Sequence, residues 1–586
     1  MTNLLDYIII TALAATPISL LLMNYLNKLL SPHDPRLGST TTIVTNLIGT
    51  LTQEHLIVRS IVFDKFKITC PDEGDMLILY NHEEEHEIRI DKHTLQNEET
   101  VSLMAQTMAL CHYNYDKIKT VEEVITNFFK STGFKPKAIQ DQFQQLETIP
   151  SAPDKKISTI VSRNTETKEI FSFSKGNAYD LLKKCSRVIH NNQKIELTQR
   201  ELRQIRKRID KLNKNGQKVI AFAYKPLPLK RLAHYSESFA ENDMVFLGMI
   251  GLTHPLNKKV EENTELINNA GIKTYILTHE KERKAVAIGK ILRIVNPQYF
   301  EAISGPYLDQ LPDQKLSKML QNRDKDFVFT DLQPEQKTRI MEILRKNGEN
   351  VSIAKGKNAI NHIVHGIKKG RIINKNYRKF ATHIISCKIA ELLLITAAFI
   401  TGAPVPFTIA SIIILDLTIN LFLELTLQAD QTAVKVMSKK YHPSNTTFFR
   451  RRNFIPGLYK GMVIGTIISI IYFFSLFRDG FTLGRTINDQ AHYKAITLAF
   501  ALLALIQILS TFYLRTKKRS LLQTRPWRNT YLIPVSILSL LILYILYHFQ
   551  LLNFTEIRGF DWQIIAFLLI VFVIFEEMRR YLIRNT

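Results

Sequence analysis

The chain of 586 residues carries 77 Lys and Arg against 53 Asp and Glu, a formal net charge of +24, and its mean hydropathy is −0.04. That average conceals two chemistries: residues 54–380 are polar and charged, while the first 30 residues and those beyond 381 hold long apolar runs, which excludes a single soluble domain and a disordered or wholly secreted chain. Cys70, Cys111, Cys185 and Cys387 are too irregularly spaced for a disulfide scaffold or a clustered zinc site and read as packed thiols in a reducing compartment.

A membrane-crossing helix needs roughly 20 mostly apolar residues, because hydrocarbon offers the backbone no hydrogen-bond partner. Seven stretches qualify, near 7–26, 382–401, 407–428, 457–477, 495–514, 531–549 and 562–578. The first has no basic leader and no small-residue cleavage site before Asn24, so a retained span is expected rather than a signal peptide. One large polar domain is inserted between the first and second spans.

Just after the first span, Leu37 to Asn46 is a β-branched run that ends on a polar residue, and Leu47 to Gln53 follows with Gly49 and Thr50. A buried strand that stops at a polar residue before a glycine turn is how open α/β sheets present chemistry at strand ends. The run from Glu83 to Glu87 reads as a solvated loop. Six further blocks come next in order: a hairpin from Ser158 to Phe173 leading to Ser174-Lys175-Gly176-Asn177; Gly216 to Tyr224; Phe246 to Pro255; Ala270 to Glu280; Val328 to Lys337; and Tyr377 to Glu391.

In the C-terminal part, Lys435, Lys439, Lys440 and Arg450-Arg451-Arg452 lie between spans three and four, and Arg515, Lys517, Lys518, Arg519, Arg525 and Arg528 between five and six. The positive-inside rule makes those sides cytoplasmic, which also places the polar insert and the tail Arg579-Arg580 inside. A basic cytoplasmic domain suits an anionic lipid surface. Nucleic acid is not an expected partner, since no Arg/aromatic recognition module is visible. Trp527 reads as an interface anchor, and Glu576-Glu577 with Arg579-Arg580 as a cap on the last span.

The collinear blocks resemble the P-type cation-transporting ATPases, of the P2-like branch. Leu37 to Gln53 is similar to that family's LGSTTVICSDKTGTLTQN segment, whose Asp accepts the ATP γ-phosphate, and here that position is Asn46. The resemblance implies a membrane helical bundle of about seven spans carrying a cytoplasmic haloacid-dehalogenase-like α/β domain with an inserted α+β nucleotide-binding-like domain. The implied division is a first span at 1–30, a phosphorylation-like domain at 31–56 and 244–380, a nucleotide-binding-like domain at 57–243 and a six-helix membrane domain at 381–586. The match begins at the family's fourth membrane helix, so the first three helices and the actuator domain are expected to be lacking.

What the resemblance implies chemically is a degenerate site. An amide is neither a nucleophile nor an anionic metal ligand, so Asn46 is expected to form no phosphoenzyme. Thr50, Thr278 and Lys337 match the family, and Glu280 keeps an acid where His279-Glu280 replaces Gly-Asp. The magnesium-holding GDGxND loop has no counterpart: either Val351–Ala354 is the strand that should deliver it, or Ile353–Gly356 matches a later segment, the favoured alignment. Magnesium is therefore expected to bind poorly. Lys175, Gly176 and Lys218 are the candidates for weak ATP binding, with Ser151 in place of the stacking aromatic.

In the spans, Pro17 keeps the family's helix break while Ile18 replaces its Glu. Glu391 matches a family acid, and Lys388 stands one turn before it on the same helix face. Asp416 and Asn420, four residues apart, match ion ligands of the next span, and Gln507 takes a further position. A mid-membrane charge marks a function or a buried pair. Lys388, Glu391, Asp416, Asn420 and Gln507 are thus ion-path candidates, with a satisfied salt-bridge network as the favoured reading. The expected role is a plasma-membrane scaffold or regulatory subunit in the lipid bilayer. A split pump completed by another chain and a passive proton or cation conduit are the alternatives.

Overall fold

The computed structural model describes residues 35–71, 76–82, 85–111, 121–151, 156–190, 192–229, 234–428, 436–437, 451–482, 488–515 and 529–585. They form two compact units, one built from 41–268 and 272–362 and the other holding the residues from Ile363 onward. The expected span at 7–26, with Pro17 and Ile18, lies outside the described residues, as do Trp527 and most of the basic loop residues.

The first unit contains two sheets. The smaller is parallel, with β1 (Thr42–Thr45), β13 (Lys273–Leu277), β14 (Phe300–Ser304), β15 (Asp326–Thr330) and β16 (Val351–Ala354) in the order β14-β15-β13-β1-β16. Thr42–Thr45 is buried at every position because helices cover both faces, the condition under which a β-branched run reads as continuous rather than alternating. Its start is pinned by Glu349, whose carboxylate accepts hydrogen bonds from the Thr41 and Thr42 hydroxyls and pairs with Arg323 at 3.0 Å.

The larger sheet takes eleven strands: β2 (Ile57–Val62), β3 (Phe66–Thr69), β4 (Met76–Asn81), β5 (Glu87–Asp91), β6 (Phe143–Ile149), β7 (Ile157–Asn164), β8 (Ile170–Asn177), β9 (Cys185–His190), β10 (Gln193–Glu196), β11 (Lys218–Leu227) and β12 (Met244–Thr253). Their main order is β5-β4-β3-β2-β12-β11-β8-β7-β6, almost wholly antiparallel, with β9 running parallel to β12. Helices α1 (Glu99–Leu110) and α2 (Val121–Ser131) cover one face through Met104, Ile125 and Phe129, which share a core with Phe173 and Phe222. On the other, α3 (Gln199–Lys214) buries Ile205, Ile209 and Leu212 and is started by a Thr198/Glu201 capping box. Helix α4 (Pro334–Lys346) begins with Pro at its first turn and a Gln333/Gln336 box, which fixes where Lys337 starts.

The second unit is helical. Among the described residues five helices are long and apolar enough to cross a membrane: α5 (Ala359–Thr401); the run of α6 (Ile409–Ile414), a π-helical turn (Leu415–Asn420) and α7 (Leu421–Gln428); α8 (Arg451–Arg478); α9 (Asp489–Leu514); and α11 (Gly559–Asn585). Helix α10 (Leu532–His548) fills the expected stretch near 531–549 but is shorter, at 17 residues. Contact with a lipid bilayer follows from these helices.

Helices α5 and α8 meet closely. A Cβ at Gly457, Gly461 or Gly465 would approach Ile385 at 2.7 Å, Ile389 at 2.6 Å and Leu393 at 3.0 Å. Small residues every fourth position let two backbones touch where lipid supplies no hydrophobic drive. At one end of the bundle, Asp561 pairs with Arg478 at 2.7 Å and Lys494 at 3.7 Å, tying the ends of α8, α9 and α11.

Candidate functional site

Strand β1 delivers Asn46 to the C-terminal edge of the parallel sheet, where the chain turns through Gly49 at φ 77°. Leu51 and Thr52 N–H groups both donate to the Leu47 carbonyl at 3.0 Å, and Leu47 and Leu51 are fully buried, so the turn is anchored from below. Asn46 itself is half-buried. Lys337 on α4 donates from Nζ to Asn46 Oδ1 at 3.4 Å. Loss of water on burial, and then the neighbouring Lys355 charge, hold the Lys337 ammonium below the usual lysine range.

The neighbouring strand settles which segment stands beside Asn46. Register pairs Thr45 with Ala354, so the chain leaves β1 at Asn46 and β16 at Lys355 on the same edge of the sheet. The Gly356 N–H donates to Thr50 Oγ1 at 3.0 Å, which lays the loop after β16 over the Asn46 turn. Val351–Ala354 is therefore the strand adjacent to β1. The loop that this strand delivers contains Lys355, Gly356, Lys357 and Asn358 and no acid.

Thr278, at the end of β13, is buried, and its Oγ1 accepts the Glu280 N–H at 3.1 Å. Glu280, just ahead of the helix Glu282–Ile291, is paired with Lys284 of its first turn at 3.1 Å. Asn46, Thr50, Thr278 and Lys337 are thus gathered at the strand ends, while the Glu280 carboxylate next to them is engaged by Lys284.

On the larger sheet, Lys175 stands opposite Phe222 in the β8–β11 register, four residues from Lys218. Lys175 and Lys218 share a sheet face but lie about 13 Å apart along the strand. The Lys175 ammonium is paired with Glu122 of α2 at 3.3 Å, and Lys218 is exposed. Gly176 is required sterically: a Cβ there would lie 2.3 Å from the Lys156 carbonyl oxygen on the facing strand. Ser151 is exposed.

In the helical unit, Lys388 Nζ pairs with Glu391 Oε2 at 3.0 Å and also with Asp416 Oδ2. Asn420 Nδ2 donates to Asp416 Oδ1 at 3.0 Å across the π-helical turn, whose widened backbone often marks a functional position. Four of the five ion-path candidates form one cluster. Gln507 on α9 is buried, with neither side-chain polar atom hydrogen-bonded among the described residues.

Residues 93–259 match the family model of the P-type ATPase cytoplasmic domain N, and residues 404–582 that of the cation transporting ATPase C-terminus. Calcium-transporting ATPase 1 of Bacillus cereus is 24% identical over 86% of this chain and 58% of its own length. The calcium-transporting ATPase of Bacillus subtilis is 24% identical over 74% of this chain and 51% of its own. The human potassium-transporting ATPase alpha chain 2 is 22% identical over 94% of this chain and 62% of its own. The chain belongs to the P-type cation-transporting ATPase family. It spans about half the length of the curated relatives it matches.

A P-type ATPase site implies magnesium, a hard cation that takes carboxylate and phosphate oxygens. The groups at these strand ends are an amide, two hydroxyls and two ammonium ions, with the neighbouring Glu280 carboxylate paired to Lys284, and they do not fit it.

Two features of this P-type relative escaped the sequence reading. Glu576 and Arg580 are not a surface cap: both are buried, with Glu576 accepting from Arg579 at 2.6 Å, lying 4.0 Å from buried Lys460 and 3.8 Å from Arg580, whose guanidinium stacks over Tyr513 at 4.6 Å. The glycine stripe on α8 was also overlooked, although the fourfold spacing of Gly457, Gly461 and Gly465 is its readable signal.

Proposed function

We propose that this P-type ATPase relative performs no phosphoryl transfer and acts as a membrane-embedded scaffold or regulatory subunit. The observation that carries this reading is the neutral Asn46 amide, held by Lys337 at 3.4 Å, with Lys355 in the adjoining loop. Phosphoryl transfer through a covalent intermediate needs a carboxylate nucleophile, and charge neutralisation by metal needs acidic ligands. Neither is supplied by Asn46, Thr50, Thr278 or Lys337, and Glu280 is spoken for by Lys284.

In this reading residues 31–56 and 244–380 form a haloacid-dehalogenase-like domain, 57–243 a nucleotide-binding-like domain, and 1–30 and 381–586 seven spans of a plasma-membrane protein with its polar part in the cytoplasm. Lys175, Gly176 and Lys218 would hold ATP weakly, since the Glu122 pair competes for Lys175. The Lys388 ammonium between Glu391 and Asp416 supports a structural network rather than a conduit, because the cluster already contains its own cation. A split pump would need a second chain and would still meet Asn46.

The test is acid-stable labelling by γ-labelled ATP in the presence of magnesium. No label is expected on the native protein, and a phosphorylated β1 strand end would overturn the reading.

A further inference from the structure

We propose that the outward face of α3 is a docking surface for an acidic protein helix, which lays its carboxylates along a line of cations carried by the larger sheet. The inference rests on the scaffold or regulatory reading above and names the surface and the chemistry of the partner.

Five basic residues on α3, Arg200, Arg203, Lys207, Lys211 and Lys214, follow one another at steps of three, four, four and three. At about 100° and 1.5 Å per residue they fall within an arc of about 80° and run for about 21 Å along the axis. Ile205, Ile209 and Leu212, which pack on the sheet, point nearly the opposite way, and all five cations are exposed. The helix is held so that the line stays outward. The Thr198/Glu201 box fixes its start, the Tyr179 hydroxyl donates to Asp210 at 2.6 Å, and Arg208 on its flank pairs with Asp64 at 3.2 Å.

Unlike Arg208, none of the five lies within ion-pair distance of a carboxylate among the described residues. Like charges three and four residues apart on one helix face repel, a cost that an anionic partner removes. Steps of three and four are also the repeat along one face of a second α-helix, so Glu residues at that spacing meet the cations in register. A protein fits better than a continuous polyanion. Asp210 is exposed at the edge of the line and opposes a phosphate chain or a layer of lipid headgroups, whereas a protein can set a donor against it. The line also holds no aromatic residue on which bases stack and no apolar residue to enter a bilayer.

The experiment is zero-length carbodiimide coupling of a synthetic Ala-based helix, with five Glu at steps of three, four, four and three, to the purified full chain in neutral detergent at low salt. Mass spectrometry locates the coupled lysines and follows the yield against peptide concentration. Saturable coupling at Lys207, Lys211 and Lys214 is expected, with a peptide of scrambled Glu order coupling several-fold less. The double variant Arg200→Gln, Arg203→Gln leaves the coupling lysines intact and should raise the half-saturating concentration about fivefold, the size of two exposed ion pairs. Lys130→Gln with Lys137→Gln removes the same charge at exposed positions on α2 and just beyond it and should change nothing. Coupling spread evenly over exposed lysines, equal yield from the scrambled peptide, or an unchanged half-saturation in the arginine variant overturns the proposal. So does displacement of the peptide by poly(U) or phosphatidylglycerol vesicles at a lower charge concentration than free peptide requires. None of these outcomes touches the acid-stable labelling experiment, so the two readings fail separately.

Discussion

Replacing Lys388 by Met is the sharpest test of the buried charge cluster in the helical unit. The ammonium lies 3.0 Å from Glu391 and also contacts Asp416, both carboxylates being almost fully buried. At an effective dielectric of about 20, a 3.0 Å pair has a gross attraction of about 5.5 kcal/mol, most of which offsets the desolvation of the two ions. Removing the cation leaves two buried acids, Asp416 keeping its Asn420 hydrogen bond, and the expected loss is about 3–5 kcal/mol. The triple variant Lys388→Met, Glu391→Gln, Asp416→Asn removes all three charges and should recover most of that loss. Thermal unfolding in detergent, followed by fluorescence-detected size exclusion, reads all the variants. A triple variant less stable than Lys388→Met would refute the reasoning, since it would mean that the charges are not coupled. Proton flux in liposomes that disappears in Glu391→Gln would instead favour a conduit.

Asn46→Asp alone is expected to give no acid-stable label, because Thr50, Thr278 and Lys337 supply no acidic metal ligand and Glu280 is paired with Lys284; labelling of this variant would show that the amide is the only lesion. Gly461→Ala places a methyl 2.8 Å from the Ser386 carbonyl oxygen and should cost about 1–3 kcal/mol by overpacking, whereas Gly559→Ala, with open space around it, should be neutral; equal melting of the two variants would contradict the close α5–α8 contact. Burial, aided by Arg208, Lys67 and Lys211 and opposed by Asp64, pushes the His82 imidazole down to about 4. A histidine depressed on folding binds more protons when unfolded, so its contribution is present above pH 6.5 and lost as pH falls toward 4. His82→Phe should therefore flatten the decline in stability between pH 6.5 and 4, and an unchanged slope would contradict that assignment.

The linear sequence determined the composition split, the apolar runs and the family blocks, because hydrophobic periodicity and a strand ending on Asn46 are local patterns. The same holds for Lys388 and Glu391, which are one helical turn apart. Asp416 was visible as a mid-span acid, but its pairing with Lys388 required two helices to be placed side by side. Register, too, is invisible along the chain: Thr50 and Gly356 are 306 residues apart, and the parallel pairing of β1 with β16 brings the Gly356 N–H to the Thr50 hydroxyl. For the same reason Arg580 read as a terminal cap until the packing of α11 against α9 put it over Tyr513. Side-chain type and spacing fix what a residue is able to do; the partner it meets is decided by which distant backbones the fold brings within a few ångströms.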